Sequence, residues 1–141
     1  MSTISAAMLL TVTQASAASA ETERATDTTG PGGSGYWYCV NYGNNSTGDM
    51  KAQACWMEEG DWFQIHDARG DGYSAVVDWQ SIDPQNRIER WGAIFNANGN
   101  QSTVFKNKNF PEENSIRFRA CLGNWSTKLI QAGKCSGWKK M

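Results

Sequence analysis

Apolar and polar residues alternate along much of the chain after residue 35, with the period of two that is typical of strands buried on one face. The alternation is clearest in Asp61–Asp67, Tyr73–Trp79 and Ser115–Leu122. Nowhere in this part do apolar residues recur at three- and four-residue spacing for three turns, which is the pattern of an amphipathic helix. The pattern predicts an all-β protein.

Loops rich in Gly and Asn recur roughly every ten residues and divide the chain into short strands. The turn at Arg69–Gly72 predicts a hairpin between the strands on either side of it. About eight short strands favour a compact antiparallel β-sandwich or a small barrel. The predicted strands are Tyr36–Val40, Met50–Met57, Asp61–Asp67, Tyr73–Trp79, Ile88–Phe95, Ser102–Lys106 and Ser115–Leu122, with the chain closing near Leu129–Ile130 and Cys135–Trp138.

Four cysteines fall as two close pairs, Cys39 with Cys55 and Cys121 with Cys135. Pairing of nearest neighbours would join successive predicted strands, and each bond would close a loop of about fifteen residues. The other connectivities remain open, because four cysteines permit three. The cysteines within each pair are too far apart for the spacing of a zinc site, which places ligands two to four residues apart. We expect two structural disulfides.

Residues 1–20 have two features of a secretory signal: the apolar stretch Ala6–Val12 and small-residue cleavage sites ending at Ala17 and Ala20. No Lys or Arg precedes Arg24, so a cationic start is missing and we expect the true start to lie upstream. The apolar stretch is far shorter than a membrane span. With the paired cysteines, these features predict an exported, extracellular protein without a membrane span.

Residues 21–35 contain no apolar residue larger than alanine and are rich in Thr and Gly. Such a segment cannot bury enough surface to fold by itself, so we expect a flexible N-terminal tail. A tail of this kind can become ordered in a partner's groove, and its candidate contact residues are Thr26, Thr28, Thr29 and Gly30. Residues 36–141 are the size of one small β-domain.

Charge is unevenly distributed although the formal net charge is −1. Residues 36–100 hold four basic and nine acidic side chains, whereas residues 101–141 hold eight basic and two acidic ones. The basic residues are spread over several predicted strands and loops and form no stripe interleaved with aromatic residues. We therefore expect no nucleic-acid partner.

The single histidine, His66, is the first candidate for catalysis, because a serine-dependent mechanism would place it near a hydroxyl such as Ser74 and a carboxylate such as Asp67 or Asp78. No Gly-x-Ser-x-Gly elbow marks a nucleophile. Asp67–Gly72 partly matches a calcium loop, but lacks an oxygen ligand at the third position and Glu at the twelfth. We expect no catalytic activity, no metal and no cofactor.

Seven tryptophans are many for a chain of this size, and exposed indoles serve binding proteins as anchors for protein interfaces or as platforms for sugar rings. Trp79 alternates with Ala75 and Val77 and is expected in the core. Trp62 and Trp91 alternate with polar residues and are the candidate binding residues.

Three parts of the sequence look like small exported actinobacterial proteins, most of which carry no assigned function: residues 60–79, Ile116–Cys121 and Cys135–Trp138. The resemblance covers Cys39 to Trp138 and implies a secreted, disulfide-bonded β-sandwich. Some small exported proteins of this kind resemble the adaptor subunit of umbrella toxin particles. In such adaptors an extended N-terminal segment enters the cleft of a lectin, which implies the same use for residues 21–35.

The sequence therefore predicts a secreted, non-catalytic protein-binding domain whose partner is another secreted protein, such as a subunit of an extracellular assembly. Two alternatives remain open. One is a carbohydrate-binding module that stacks Trp62 or Trp91 on cell-wall or other glycans. The other is an inhibitor of extracellular proteases that uses a loop held by a disulfide.

Overall fold

The computed structural model describes residues 20–44 and 46–141, so the predicted signal sequence falls almost wholly outside the described residues. Ten strands form in this part of the chain, where about eight were predicted. Residues 21–24 supply a strand that was not predicted, and the final strand lies at Lys139–Lys140 rather than near Cys135–Trp138. The strands are β1 (Glu21–Arg24), β2 (Tyr38–Tyr42), β3 (Ala52–Met57), β4 (Trp62–Asp67), β5 (Ser74–Ile82), β6 (Ile88–Asn96), β7 (Thr103–Asn107), β8 (Ser115–Asn124), β9 (Leu129–Cys135) and β10 (Lys139–Lys140).

The strands form two packed sheets, and the prediction of an all-β sandwich is confirmed. Six strands make one sheet in the order β1-β6-β5-β8-β10, with β9 also paired to β8. The other sheet has four strands in the order β2-β3-β4-β7. Pairing is antiparallel except between β1 and β6, which are parallel. The sheets do not close into a barrel.

The predicted hairpin at Arg69–Gly72 is wrong, because β4 and β5 belong to different sheets. The chain crosses between the sheets here and again between β6 and β7. Asn96, fully buried at the end of β6, holds the second crossing in place: its side-chain amide donates to the carbonyl of Ile65 over 3.2 Å and to that of Ser102 over 2.9 Å. A Gly-rich turn has the same composition whether it joins neighbouring strands of one sheet or strands of two different sheets.

The core lies between the two sheets and is built from the faces that alternation predicts. Phe63 and Ile65 face it from β4, and Trp79 faces it from β5, all with no exposed surface. The aromatic rings pack with tilted or edge-to-face geometry, with Trp56 and Phe63 centroids 4.7 Å apart. The inward face of β8 consists of the alternate residues Ile116, Phe118, Ala120 and Leu122.

Both disulfides join nearest neighbours, as the sequence favoured. Cys39 of β2 lies directly opposite Cys55 of β3, and Cys121 of β8 lies opposite Cys135 of β9. Each bond therefore fastens an edge strand to its neighbour. Two disulfides within the chain are consistent with an oxidising, extracellular location.

The structure corrects the expectation of a flexible tail at residues 21–35, here called the N-terminal segment. Its first residues form β1, which adds a parallel strand to β6 from Glu21↔Gly92 to Arg24↔Phe95. This short strand is fixed by charge rather than apolar burial. Arg90 binds both carboxylate oxygens of Glu21 over 2.9 Å, and Lys108 donates to Glu21 and Glu23 over 2.9 and 2.7 Å.

After β1 the N-terminal segment crosses to the four-stranded sheet and runs over its outer face. Ala25 is fully buried, and Asp27 pairs with Phe105 on the edge strand β7. Gly30 then lies against the ring of Phe105, and Gly35 lies against Met57. Only glycine permits this close approach, since a Cβ on Gly30 would come within 2.7 Å of the ring.

Candidate binding face

Alternate residues of β5, β6 and β8 point away from the core and form the outer face of the six-stranded sheet. The strand register places Trp91, Gln80 and Arg117 in one row across three strands. The next row holds Ala93, Asp78 and Arg119. All of these side chains are half-buried, as is Trp138 beside them. We call this surface the Trp91–Trp138 face.

Trp138 packs over the two arginines of this face. The guanidinium carbon of Arg117 lies 4.5 Å from the indole centroid, and that of Arg119 lies 4.4 Å from it. Both distances are within the range of a cation–π contact. The indole thereby restricts the rotamers of two long side chains that would otherwise lose conformational entropy on binding a ligand.

Hydrogen bonds to side chains of the neighbouring strand β5 also hold the same two arginines in place. Arg117 Nε donates to Gln80 Oε1 over 2.9 Å, and Arg119 Nε donates to Asp78 Oδ2 over 2.8 Å. Burial raises the pKa of Asp78, and this effect outweighs the opposing effect of its hydrogen bond from Arg119. The polar groups of the face are therefore preorganised by contacts within the protein.

A small apolar cluster borders the face on the side of β9. Val76, Phe95 and Cys121 are buried here although they point away from the main core. The β8–β9 hairpin folds over them and brings Trp125 to the ring of Phe95, with centroids 5.5 Å apart. This packing supports the face along one side and leaves its two rows accessible.

The two tryptophans predicted as binding residues lie on opposite sides of the molecule. Trp91 belongs to the Trp91–Trp138 face, whereas Trp62 lies on the outer face of the four-stranded sheet, beside the N-terminal segment and Met57. Both are half-buried. The structure does not combine them into one site.

The tail residues predicted to bind a partner are also separated from the Trp91–Trp138 face. Thr26, Thr28 and Thr29 are exposed along the N-terminal segment, while Gly30 packs on Phe105.

The candidate catalytic residues do not come together. His66 lies on the outer face of the four-stranded sheet, where its Nδ1 is 2.8 Å from Thr103 Oγ1. Asp78 lies on the outer face of the other sheet. Asp67 follows His66 but is buried on the inner side, where its carboxylate accepts the Arg69 N–H over 3.1 Å.

Burial raises the pKa of Asp67 to about 6. Asp71, in the same loop, accepts the N–H of Tyr73. Among the described residues, no three His, Cys, Asp or Glu side chains converge to hold a metal ion. The same part of the chain contains no helix of the length and apolar character needed to cross a membrane.

Trp138 is the functional candidate that sequence reasoning missed. The alternation in Ser115–Leu122 is enough to put Arg117 and Arg119 on the face of β8 opposite its apolar residues. Nothing in the spacing between Arg119 and Trp138 shows that the chain returns through β9 and lays the indole over them. No protein family, curated protein or solved structure matches this chain.

Proposed function

We propose that the chain is a secreted, non-catalytic protein-binding module and that the Trp91–Trp138 face is its contact surface. The observation that carries the proposal is the stacking of Trp138 over Arg117 and Arg119 on the outer face of the six-stranded sheet. Trp and Arg are the residue types most enriched among those that dominate the binding energy of protein interfaces.

The arrangement of the face supports a protein partner. A sheet face offers a broad surface on which apolar rings and hydrogen-bonding groups alternate, as in the centre of many interfaces. Trp91 and Trp138 flank Gln80 and the arginines, so the apolar rings can exclude water from the polar groups between them. Preorganised arginines lose little entropy on binding, which favours affinity.

This contact surface replaces the mechanism expected from the sequence, in which residues 21–35 would become ordered on the partner. The N-terminal segment is already ordered on its own fold, through β1 and Asp27. Insertion into a partner would first break the ion pairs of Glu21 and Glu23. The Trp91–Trp138 face needs no such rearrangement.

The test is affinity capture from the native culture supernatant with the tagged protein as bait, followed by quantitative mass spectrometry. Wild type is compared with Trp91→Ala and Arg117→Ala, and with Trp62→Ala as the matched control on the opposite sheet. We expect a stoichiometric secreted partner that both face variants lose and the control retains. In titrations with the purified partner, each face variant should weaken binding at least about tenfold.

Two outcomes contradict the proposal. One is a partner that binds both face variants as tightly as wild type. The other is a partner that only Trp62→Ala loses, which would place the contact surface on the four-stranded sheet.

A glycan-binding module is the second candidate, because the indole of Trp91 lies in register beside the amide of Gln80. An aromatic ring next to a hydrogen-bonding side chain is suited to a sugar ring, which has an apolar face and polar edges. Quenching of indole fluorescence by soluble cell-wall glycans, lost in Trp91→Ala and kept in Trp62→Ala, would favour this function over protein binding.

A further inference from the structure

Four edges bound the two sheets, and three of them are protected against pairing with another strand. The outer edge β1 carries Glu21, Glu23 and Arg24, and the edge β7 is partly covered by its bridge to Asp27. On the far side of the six-stranded sheet, β10 consists of Lys139–Lys140, and β9 pairs irregularly with β8. Charges, short length and irregularity are the usual means of preventing edge association.

The fourth edge, β2, has none of these protections. Its five residues, Tyr38–Tyr42, include no charged residue and no proline. They pair with β3 on one side only, since β2 is the last strand of its sheet. The inward-facing side chains of Tyr38, Val40 and Tyr42 pack against the main core but are only partly buried. A partner strand placed along β2 would bury them further.

The hydrogen-bonding groups of this edge point outward at defined residues. Cys39 and Cys55 are directly opposite with a Cα–Cα distance of 4.0 Å, which is typical of the closer, non-hydrogen-bonded pairs of an antiparallel ladder. The N–H and C=O of Cys39 are therefore directed away from β3. By alternation the same holds for Asn41, so two donors and two acceptors are available along the edge.

The two tyrosines of β2 are placed symmetrically about Val40, one of them two residues away on each side. If two copies pair antiparallel about a two-fold axis through Val40, Cys39 of one copy lies opposite Asn41 of the other. Four main-chain hydrogen bonds then form. Tyr38 of each copy meets Tyr42 of the other on the core side, a favourable cross-strand pair. A two-fold axis requires this kind of self-complementarity.

The charged residues near the two ends of β2 have opposite signs, which also suits antiparallel pairing of two copies. Beyond Tyr38, an open groove is lined by Glu58, Glu59 and Glu112. None of these three forms an ion pair within the described residues. At the opposite end of β2, Lys51 Nζ lies 5.8 Å from the ring of Tyr42. Antiparallel pairing brings the acidic end of each copy toward the lysine of the other.

From these observations we propose that the protein forms a homodimer through antiparallel pairing of β2 with β2 of a second copy. The two four-stranded sheets join into one continuous eight-stranded sheet. The Trp91–Trp138 face belongs to the other sheet of each copy and stays accessible. The proposal is therefore independent of the proposed function, and the dimer would present two binding faces.

Sedimentation velocity of the full chain, expressed by an oxidising secretory route, tests the proposal over a concentration series. Wild type should show a concentration-dependent monomer–dimer equilibrium. Asn41→Pro removes an outward N–H that makes no bond to β3, and should weaken dimerisation at least tenfold. Asn41→Ala is the matched control: it removes the side-chain bond from Gln53 but keeps the N–H, and should dimerise like wild type.

Cross-linking gives a second test if Asn41→Pro fails to fold. Val40 of each copy would lie opposite its symmetry mate, so Val40→Cys should form a covalent dimer on non-reducing gels. Ile88→Cys, at an exposed position on the other sheet, should form no covalent dimer and run as a monomer on the same gels. The proposal is overturned if wild type is monomeric at every soluble concentration, if a folded Asn41→Pro still dimerises like wild type, or if Val40→Cys forms no covalent dimer.

Discussion

The main-chain N–H of Phe105 donates to the carbonyl of Asp27 over 2.8 Å. β1 lies in the six-stranded sheet, whereas Phe105 lies in the four-stranded one. The chain from β1 to Asp27, together with this hydrogen bond, therefore connects the two sheets. The N-terminal segment thus closes one side of the sandwich, while the opposite side ends in the open edge of β2.

Ion pairs that hold β1 should make the attachment of the N-terminal segment dependent on pH. The pKa of Glu21 is lowered from 4.5 to about 2, mainly by its hydrogen bonds from Arg90. A lowered pKa in the folded state stabilises the fold above pH 4.5, and this stabilisation is lost as the pH falls toward 2. We expect Glu21→Gln to reduce the free energy of unfolding at neutral pH by about 1 kcal/mol, since the pair is partly exposed.

Urea denaturation at several pH values measures this effect, and trypsin cleavage after Arg24 reports detachment of β1 directly. The difference between wild type and Glu21→Gln should shrink below pH 4.5. Glu59→Gln is the control, because Glu59 is exposed and takes part in no ion pair of the described residues. Equal effects of the two substitutions would contradict this account.

The contact between Gly30 and Phe105 should tolerate no larger side chain. A Cβ at position 30 would lie 2.7 Å from Cε1 of the ring, whereas one at Gly32 would meet no atom within 4 Å. We expect Gly30→Ala to destabilise the protein by about 1–3 kcal/mol and to increase hydrogen exchange in residues 26–35. Gly32→Ala should do neither. Equal stability of the two variants would show that the segment moves away without cost.

The sequence predicted which faces of the strands are buried but not which strands are neighbours. Alternation reports directly on the side of a strand that meets the core, so Phe63, Trp79 and Phe118 were assigned correctly. The loop at Arg69–Gly72 has the composition of a hairpin turn, but the chain crosses to the other sheet there. The contacts that decide this, such as those of buried Asn96, join residues far apart in sequence.

β1 escaped prediction for a related reason. It has no apolar residue larger than alanine nearby, and its stability comes from Arg90 and Lys108, which are 69 and 87 residues away from Glu21. Of the Trp91–Trp138 face, the sequence predicted Trp91 as a candidate binding residue, because Trp91 alternates with polar residues. Its second tryptophan depends on how β9 and β10 return to β8, which local patterns do not encode.

Each disulfide should contribute to stability by restricting the unfolded chain. The two bonds span 16 and 14 residues, so replacement of either pair by serine should lower the free energy of unfolding by about 3 kcal/mol. Loss of Cys121–Cys135 should also loosen the β9 hairpin and change the fluorescence of Trp125, which packs on Phe95. Urea denaturation and emission spectra of the two double variants check both expectations. Unchanged emission would show that packing alone holds the hairpin.

Buried Asp67 should destabilise the native protein at neutral pH. Burial raises its pKa from 3.8 to about 6, so the folded state binds more protons than the unfolded state between these values. Stability contributed by this group therefore falls as the pH rises through that window and stays low above it. Asn mimics the protonated form and can still accept the Arg69 N–H.

We expect Asp67→Asn to be more stable than wild type at pH values above 6, by on the order of 1 kcal/mol, and to become equal to it as the pH falls below 3.8. Asp71→Asn, at an exposed position in the same loop, is the control for loss of a negative charge. Urea denaturation of wild type, Asp67→Asn and Asp71→Asn at pH values across this range measures the difference in stability. A stability difference that does not change with pH would show that Asp67 remains ionised in the fold, and that its environment supplies more solvation than its burial indicates.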